Sequence, residues 1–348
     1  MARKAIVGLT RDLFDKDGKS ISPGPGPSLL DNVPNLEYRT MSEYLPEVTP
    51  EQAQGFDMVI TFAPKWTRKT LMASERLLSL NRGGVGYDMV DVPACTDAGV
   101  ALLIIPNAVR RPVATGIMAF ILALATRLLI KDRVTRSGDW DAGRKNYPGL
   151  GLTGKTLGAI GVGNIGHEMF RLAKPWGMKH IAYDPYLKPE ALADVDVKLT
   201  DMDTVLAESD FVSIMCPLNE KTRHLVGEKE LKKMKQTAFL INTSRGPVVD
   251  EAALVKALKE NWIKGAGIDV FEQEPTPRDN PLFKLDNVIL TPHSIALTDE
   301  FYLTMWQEIT NQIVQLMRGE KPVTMVNPEV WDTPKFQAKL KKFLQETK

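Results

Sequence analysis

The stretch GAIGVGNIGHEM, residues 158–169, constrains the fold more than any other part of the chain, because it spaces three glycines as Gly161-x-Gly163-x-x-Gly166. The apolar run KTLGAI precedes it and the helix-like segment NIGHEMFRLAKPWG follows it. In that setting glycine permits a tight strand-to-helix turn and lets backbone N–H groups at a helix N-terminus approach a pyrophosphate. A plain turn is the simpler alternative. A second strand-like segment, HIAYDPY, then ends in Asp184, about 20 residues on, where a carboxylate can hydrogen-bond a ribose diol. The two signals together favour dinucleotide binding, with Gly161, Gly163, Asn164, Ile165, Gly166 and Asp184 as its candidate residues. An acid at position 184 repels a ribose 2′-phosphate and no arginine directly follows it, so the expected cofactor is NAD rather than NADP. In the competing reading Asp184 only opens the Asp184-Pro185 turn.

Around this motif run two series of apolar segments separated by helical or turn-rich sequence, the pattern of parallel α/β sheets. The first series is KAIVGL, LEYRT, DMVITF, LLSLN and ALLII; the second is TLGAIGVG, HIAYD, FVSIMCP, AFLINTS, GAGIDVF and NVILTPH. Between them lie a long apolar helix from about Val113 and the loop SGDWDAGRKNYPGLG, which reads as a boundary region. A further helix spans roughly Asp299 to Met317 and stops at Gly319 and Pro322. No strand follows it, so the C-terminal segment is expected to pack back on the first unit. The expected fold is therefore α/β with two Rossmann-like parallel-sheet domains: a nucleotide-binding domain, 109–296, inserted in a split flavodoxin-like substrate domain, 1–108 and 297–348. The basic tail KFQAKLKKFLQETK reads as an amphipathic surface helix.

A net charge of +1, with basic and acidic residues interleaved, gives no electrostatic reason to expect nucleic acid. Cys95 and Cys216 are the only cysteines and lack metal-ligand spacing, so neither a disulfide scaffold nor a metal site is expected, and a cytoplasmic location fits. The opening MARKAIVGLT breaks too early for a secretory signal and reads as the first strand. The longest apolar stretch, VATGIMAFILALAT, falls short of the roughly 20 residues of a membrane span and reads as a buried helix.

Three polar residues stand just beyond strand ends, where a nucleotide-binding sheet keeps its chemistry: Arg245 in FLINTSRGPVVDE, Glu274 in GIDVFEQEP and His293 in VILTPHS. Each alone has a bland reading, as a surface arginine, a solvated glutamate and a turn histidine. With the glycine motif, NTSRGPVVDEAAL, GAGIDVFEQEP and NPLFKLDNVILTPH in order, and LNRGGVGYDMVDVPACTDAGV upstream, the chain resembles the D-isomer-specific 2-hydroxyacid dehydrogenases over nearly its whole length to about Pro328. That family includes glyoxylate/hydroxypyruvate reductases, D-lactate dehydrogenases and phosphoglycerate dehydrogenases. The resemblance implies an NAD-dependent 2-oxoacid reductase acting on D-isomers, and a homodimer joined at the long helix. Reduction of a 2-oxo acid needs a proton donor titrating near neutral pH, which His293 can supply. Glu274 would orient the ring and favour the imidazolium, and Arg245 would grip the substrate carboxylate and polarise the carbonyl. The resemblance further implies that Gly84 and Val85, in RGGVG, hold the carboxylate through backbone N–H groups. It places Asp269 at the nicotinamide carboxamide and Pro217, Thr222 and Thr243 along the cofactor.

The match departs at three places. Where the family commonly has VAEH, this chain reads RRPVATGIM, with Thr115 and Gly116. Two cations there are disfavoured by a helix dipole, so Arg110 or Arg111, with Arg111 the choice, is expected to recognise a polar or anionic substrate. After His293 come Ser294 and Ile295 instead of the usual small residues, and no arginine stands near Phe62, which counts against phosphoglycerate. Trp66 could wall the pocket or be core. Two rivals stay open: a dinucleotide-sensing binding protein of the same fold, like certain transcriptional corepressors, and a phosphite- or formate-type dehydrogenase. Glu274 speaks against formate chemistry and the lack of lysine in RGGVG against phosphite.

Overall fold

The computed structural model describes residues 3–347. The chain divides into two compact units, one holding the described residues up to Val109 and from Leu297 onward, the other Arg110–Ala296. The first unit contains strands β1 (Ala5–Leu9), β2 (Leu36–Thr40), β3 (Met58–Thr61), β4 (Ser79–Arg82) and β5 (Ala101–Leu103) in the order β2-β1-β3-β4-β5. The second contains β6 (Thr156–Ile160), β7 (Lys179–Tyr183), β8 (Lys198–Leu199), β9 (Phe211–Ile214), β10 (Phe239–Asn242), β11 (Gly265–Ile268) and β12 (Val288–Leu290), ordered β12-β11-β10-β9-β6-β7-β8. All of these strand pairs are parallel. The first order is that of flavodoxin-like sheets, and the second is that of a dinucleotide-binding sheet carrying one extra strand.

Such sheets bury both faces, so their strands read as nearly continuous apolar runs. In β10, Phe239 and Ile241 enter one core cluster and Leu240 the opposite one. The first cluster is completed by Ile117, Phe120, Ile121 and Leu124 from the helix Pro106–Thr126. Gly267 in β11 leaves room for Phe120, whose Cγ would lie 2.8 Å from an added Cβ. This helix is long and apolar enough to cross a membrane by length and composition alone, yet most of its apolar window is buried in protein.

Two expectations are revised. The helix starts at Pro106 rather than near Val113 and carries Pro112 inside it. Proline is ordinarily a helix-starting signal because it lacks the N–H needed further in, which is what makes Val113 look like the first turn. The stretch SGDWDAGRKNYPGLG is not the boundary: it lies inside the second unit and includes a short helix, Trp140–Lys145, capped by Asp139. β8, only two residues long, has no sequence signal.

In the first unit the helix Asp299–Arg318 is capped by Thr298 and closed by Gly319 at φ +78°. Beyond it, Ile104 N–H donates to Thr324 O and Val326 N–H to Leu102 O, so residues 324–326 cover the open edge of β5. The C-terminal helix Pro334–Thr347 buries Phe336, Leu340 and Phe343. Its Lys339 Nζ donates to the carbonyls of Ser74, Leu77 and Ala98.

The nucleotide-motif helix, Asn164–Ala173, is anchored by the buried Glu168. Arg171 and Arg111 both donate to its carboxylate, at 2.6 and 2.8 Å. The Arg171 hydrogen bond, with help from Arg111, overcomes burial and holds the Glu168 carboxyl down at about 2. A depressed carboxyl stabilises the fold fully above its ordinary value of 4.5, and that contribution is lost as pH falls toward about 2. Glu168→Gln is expected to lower stability near neutral pH by about 2 kcal/mol. The gap to wild type in urea titrations should close as pH drops through that window; a gap constant with pH would refute the linkage.

Candidate active site

The three glycines of the motif have three different physical reasons. Gly161, directly after β6, has φ +85°, and an added Cβ would lie 2.7 Å from the backbone nitrogen of Cys216, directly beyond β9. β6 and β9 flank the point where the strand order reverses, the place at which such sheets bind ligands. Gly166 allows close helix packing, with Met215 Cε 3.1 Å from an added Cβ. Gly163, at the helix N-terminus, faces open space and no side chain caps it. The chain therefore keeps room and free backbone donors where Asn164 and Ile165 begin the helix, which fits a pyrophosphate.

Asp184 follows β7, and its two oxygens accept from Val162 N–H at 2.9 Å and Tyr186 N–H at 2.9 Å. The acid and the glycine turn are thus one hydrogen-bonded unit. Pro217 and Thr222 share a tight loop beyond β9: Thr222 Oγ1 donates to Pro217 O at 2.6 Å, and Asn219 Oδ1 accepts from the N–H groups of Lys221 and Thr222.

Thr243 and Arg245 follow β10 in a turn built by Asn242. Its Oδ1 accepts from Ser244 N–H and Oγ, and its Nδ2 donates to Arg245 O. The pattern Asn-Thr-Ser after an apolar strand is the sequence signal for such a turn, and Asn242 escaped the sequence reading. Arg245 Nη1 donates to Ser244 O at 2.8 Å.

Glu274 and His293 meet directly, Nδ1 lying 2.7 Å from Oε2. The other carboxylate oxygen accepts from Phe271 N–H at 3.0 Å. Burial pushes the Glu274 carboxyl up, but the His293 hydrogen bond and charge, the Phe271 N–H and the Arg245 charge together bring it below its ordinary value. His293 itself stands at φ +52°, the left-handed region that non-glycine residues rarely enter. Asp269 holds it there. Its backbone carbonyl accepts from His293 N–H at 2.7 Å, while its buried Oδ1 takes Thr291 Oγ1, Ser294 N–H and Ile295 N–H. Burial raises the Asp269 carboxyl above its ordinary value despite those donors. Arg245, Glu274, His293 and Asp269 thus lie in one unit on the loops after β10, β11 and β12.

The two departures at positions 116 and 295 are a single packing feature. An added Cβ on Gly116 would lie 2.6 Å from Ile295 Cγ1, so the missing side chain makes room for the larger one two residues after His293.

In the other unit, Gly84 N–H donates to Arg82 O and Gly84 O accepts from Ile105 N–H, with Val85 next in the turn after β4. An added Cβ on Gly84 would fall 1.2 Å from Arg82 Nη1, so a larger residue there would have to displace the Arg82 guanidinium. Trp66 is 1% exposed and donates to Thr61 Oγ1, which makes it core and not a pocket wall. Arg111, weighed from sequence for substrate recognition, lies on Glu168; Arg110 is exposed.

Residues 118–294 match the model of the D-isomer specific 2-hydroxyacid dehydrogenase, NAD binding domain. The chain is 40% identical over 286 residues to a glyoxylate reductase of Thermococcus litoralis, covering 80% of this chain and 86% of that protein. It is also 40% identical over 271 residues to a D-3-phosphoglycerate dehydrogenase of Methanocaldococcus jannaschii, covering 78% of this chain and 51% of the relative. Among solved structures it is similar to D-lactate dehydrogenase from Aquifex aeolicus complexed with NAD and lactic acid, with a TM-score of 0.80 at 27% identity over 90% of this chain and 96% of that one. The glycine cradle, the fold and these relatives lead to one conclusion: the chain belongs to the D-isomer specific 2-hydroxyacid dehydrogenase family and is an NAD-dependent oxidoreductase.

Proposed function

We propose that the protein reduces a short 2-oxo acid to its D-2-hydroxy acid, with His293 as the acid that protonates the carbonyl oxygen. The observation that carries this is the 2.7 Å bond between His293 Nδ1 and Glu274. With Nδ1 committed to the carboxylate, Nε2 is the nitrogen that exchanges a proton with substrate, and Glu274 holds the ring in that orientation. Arg245 would bind the substrate carboxylate and draw charge onto the carbonyl oxygen; Gly84 and Val85 keep the carboxylate-binding role implied by sequence. Bound NADH supplies the hydride. Gly161 to Gly166 would hold its pyrophosphate, Asp184 its adenosine ribose, Asp269 its carboxamide, and Pro217, Thr222 and Thr243 would line it. The carboxylate at 184 favours NADH over NADPH.

Glyoxylate and hydroxypyruvate are the favoured substrates, since several relatives are named glyoxylate reductases and the FAPK segment after β3 has no arginine for a phosphate. Arg111 is mainly a tie to Glu168. We also propose a homodimer: no residue of the helices Leu128–Arg136 and Trp140–Lys145 is buried, and Leu128, Leu129 and Trp140 are more than half exposed. Light scattering of the purified protein tests this. Two buried, free cysteines fit a reducing, cytoplasmic setting.

The deciding experiment follows NADH and NADPH absorbance with glyoxylate, hydroxypyruvate, pyruvate and longer sugar-derived 2-oxo acids, with product chirality assigned. NADH-dependent turnover yielding the D product is expected. Tight NADH binding with no turnover would favour a nucleotide-sensing role. Arg111→Ala belongs in the same panel: a KM raised only for anionic-tailed acids would return it to substrate recognition.

A further inference from the structure

Beyond the pair at His293, the second unit holds another histidine–carboxylate pair, His224 Nε2 hydrogen-bonded to Glu272 Oε1. We propose that this pair latches the loop expected to line the cofactor to the two loops that carry Arg245 and Glu274, making His224 a positioning residue; the inference rests on the reaction proposed above.

His224 makes two attachments. Its backbone N–H donates to Pro247 O at 2.8 Å, two residues after Arg245, and its side chain holds Glu272, two residues before Glu274. Upstream, the loop is stiff. Thr222 is bonded to Pro217, Arg223 N–H donates to Asn219 O, and Leu225 N–H donates to Thr222 O. Downstream, Val226 N–H donates to Val248 O, and Val226 O accepts from Asp250 N–H. A shift of the segment 217–222 is therefore passed to residue 224 and not absorbed on the way.

The receiving loops are themselves joined. Gly246 packs against the backbone of Phe271 and Glu272, and Glu272 N–H donates to Glu251 Oε2 at 3.1 Å. Two more features point the same way. His224 is held at φ +51°, a conformation that costs energy and persists where its surroundings enforce it. The pair is also partly exposed, at 43% and 35% of its side chains, and exposed pairs add little to stability. What it can contribute is placement.

The test uses the full-length protein. In His224→Ala, kcat should fall about tenfold and the NADH Kd, read by fluorescence without substrate, should rise about fivefold, the scale of a sub-ångström misplacement, while Tm stays within about 2 °C. Glu272→Ala should behave alike, and the double variant should be no worse than either single one, since the residues act as a unit. His224→Gln, whose amide nitrogen can reach Glu272, should recover most of kcat. Wild-type kcat and NADH Kd in His224→Ala would overturn the latch. So would losses that follow a lowered Tm in every variant without recovery by glutamine. If wild type turns over no 2-oxo acid, the reaction assignment fails, while the NADH Kd series still judges the latch.

Discussion

Replacing His293 with asparagine is expected to lower kcat by about 10²- to 10⁴-fold, the range contributed by a positioned acid or base, while NADH affinity stays near that of wild type. Asparagine is the informative choice because it tolerates the left-handed backbone that residue 293 adopts at φ +52°. The N–H bond to Asp269 O and the turn through Ser294 and Ile295 should therefore survive. Only the proposed proton donor is lost. Glu274→Gln separates charge from position, because the amide can still bond the ring but never becomes anionic. In wild type, burial opposes ionisation of Glu274, and His293, Phe271 N–H and Arg245 more than compensate. A lowered carboxyl keeps Glu274 anionic through its ordinary value of 4.5, and that charge is lost only as pH falls below it. The acid limb of kcat arising from this pair should lie below pH 4.5 and be missing from the glutamine variant. Single-turnover rates with NADH and glyoxylate measure both effects. Less than a tenfold loss in His293→Asn would remove His293 as the acid.

Most of the architecture could be read from the chain because parallel strands buried on both faces leave short apolar runs punctuated by glycine, proline and asparagine. β10 is such a run, and the turn residues after it mark where Arg245 begins. The signal fails where a local rule is overridden by tertiary packing. Pro112 reads as a helix start, yet it lies inside a helix whose later turns are fixed by the core around Phe120. Lys198–Leu199 is too short for any periodicity to register.

The site divides along the same line. Residues that carry chemistry stand in recognisable motifs, whereas the groups that aim them depend on partners distant in sequence. Asp269 reads from sequence as a cofactor contact, and its observed bonds also serve the turn bearing His293, 24 residues later, which no sequence motif shows. Gly116 and Ile295 each look like an isolated departure until the fold brings their atoms together. His224 gave no signal at all, because its partner at Glu272 is 48 residues away.

Gly246 shows how strongly such distant contacts can bind the chemistry. Immediately after Arg245, it approaches the next loop so closely that an added Cβ would lie 1.9 Å from both the carbonyl carbon and oxygen of Phe271, and 2.5 Å from Glu272 N. These are main-chain atoms, so no rotamer change relieves the clash. One loop must move, taking either Arg245 or Glu274 with it. Gly246→Ala is therefore expected to cost at least about 1–3 kcal/mol of stability, as overpacking does. It should also cut kcat about 10²-fold, because displacements near 1 Å have that effect on catalysis. Gly163→Ala provides the contrast. Its Cβ meets no atom within 4 Å, so the fold should keep its Tm, but the methyl would occupy the space proposed for close approach of the pyrophosphate. NADH affinity should fall while the His293–Glu274 geometry stays intact. Thermal melts, NADH fluorescence titrations and kcat at saturating NADH, measured on both variants, distinguish the two glycines. Wild-type kcat and Tm in Gly246→Ala would mean that the contact between the Arg245 and Glu274 loops does not set the catalytic geometry.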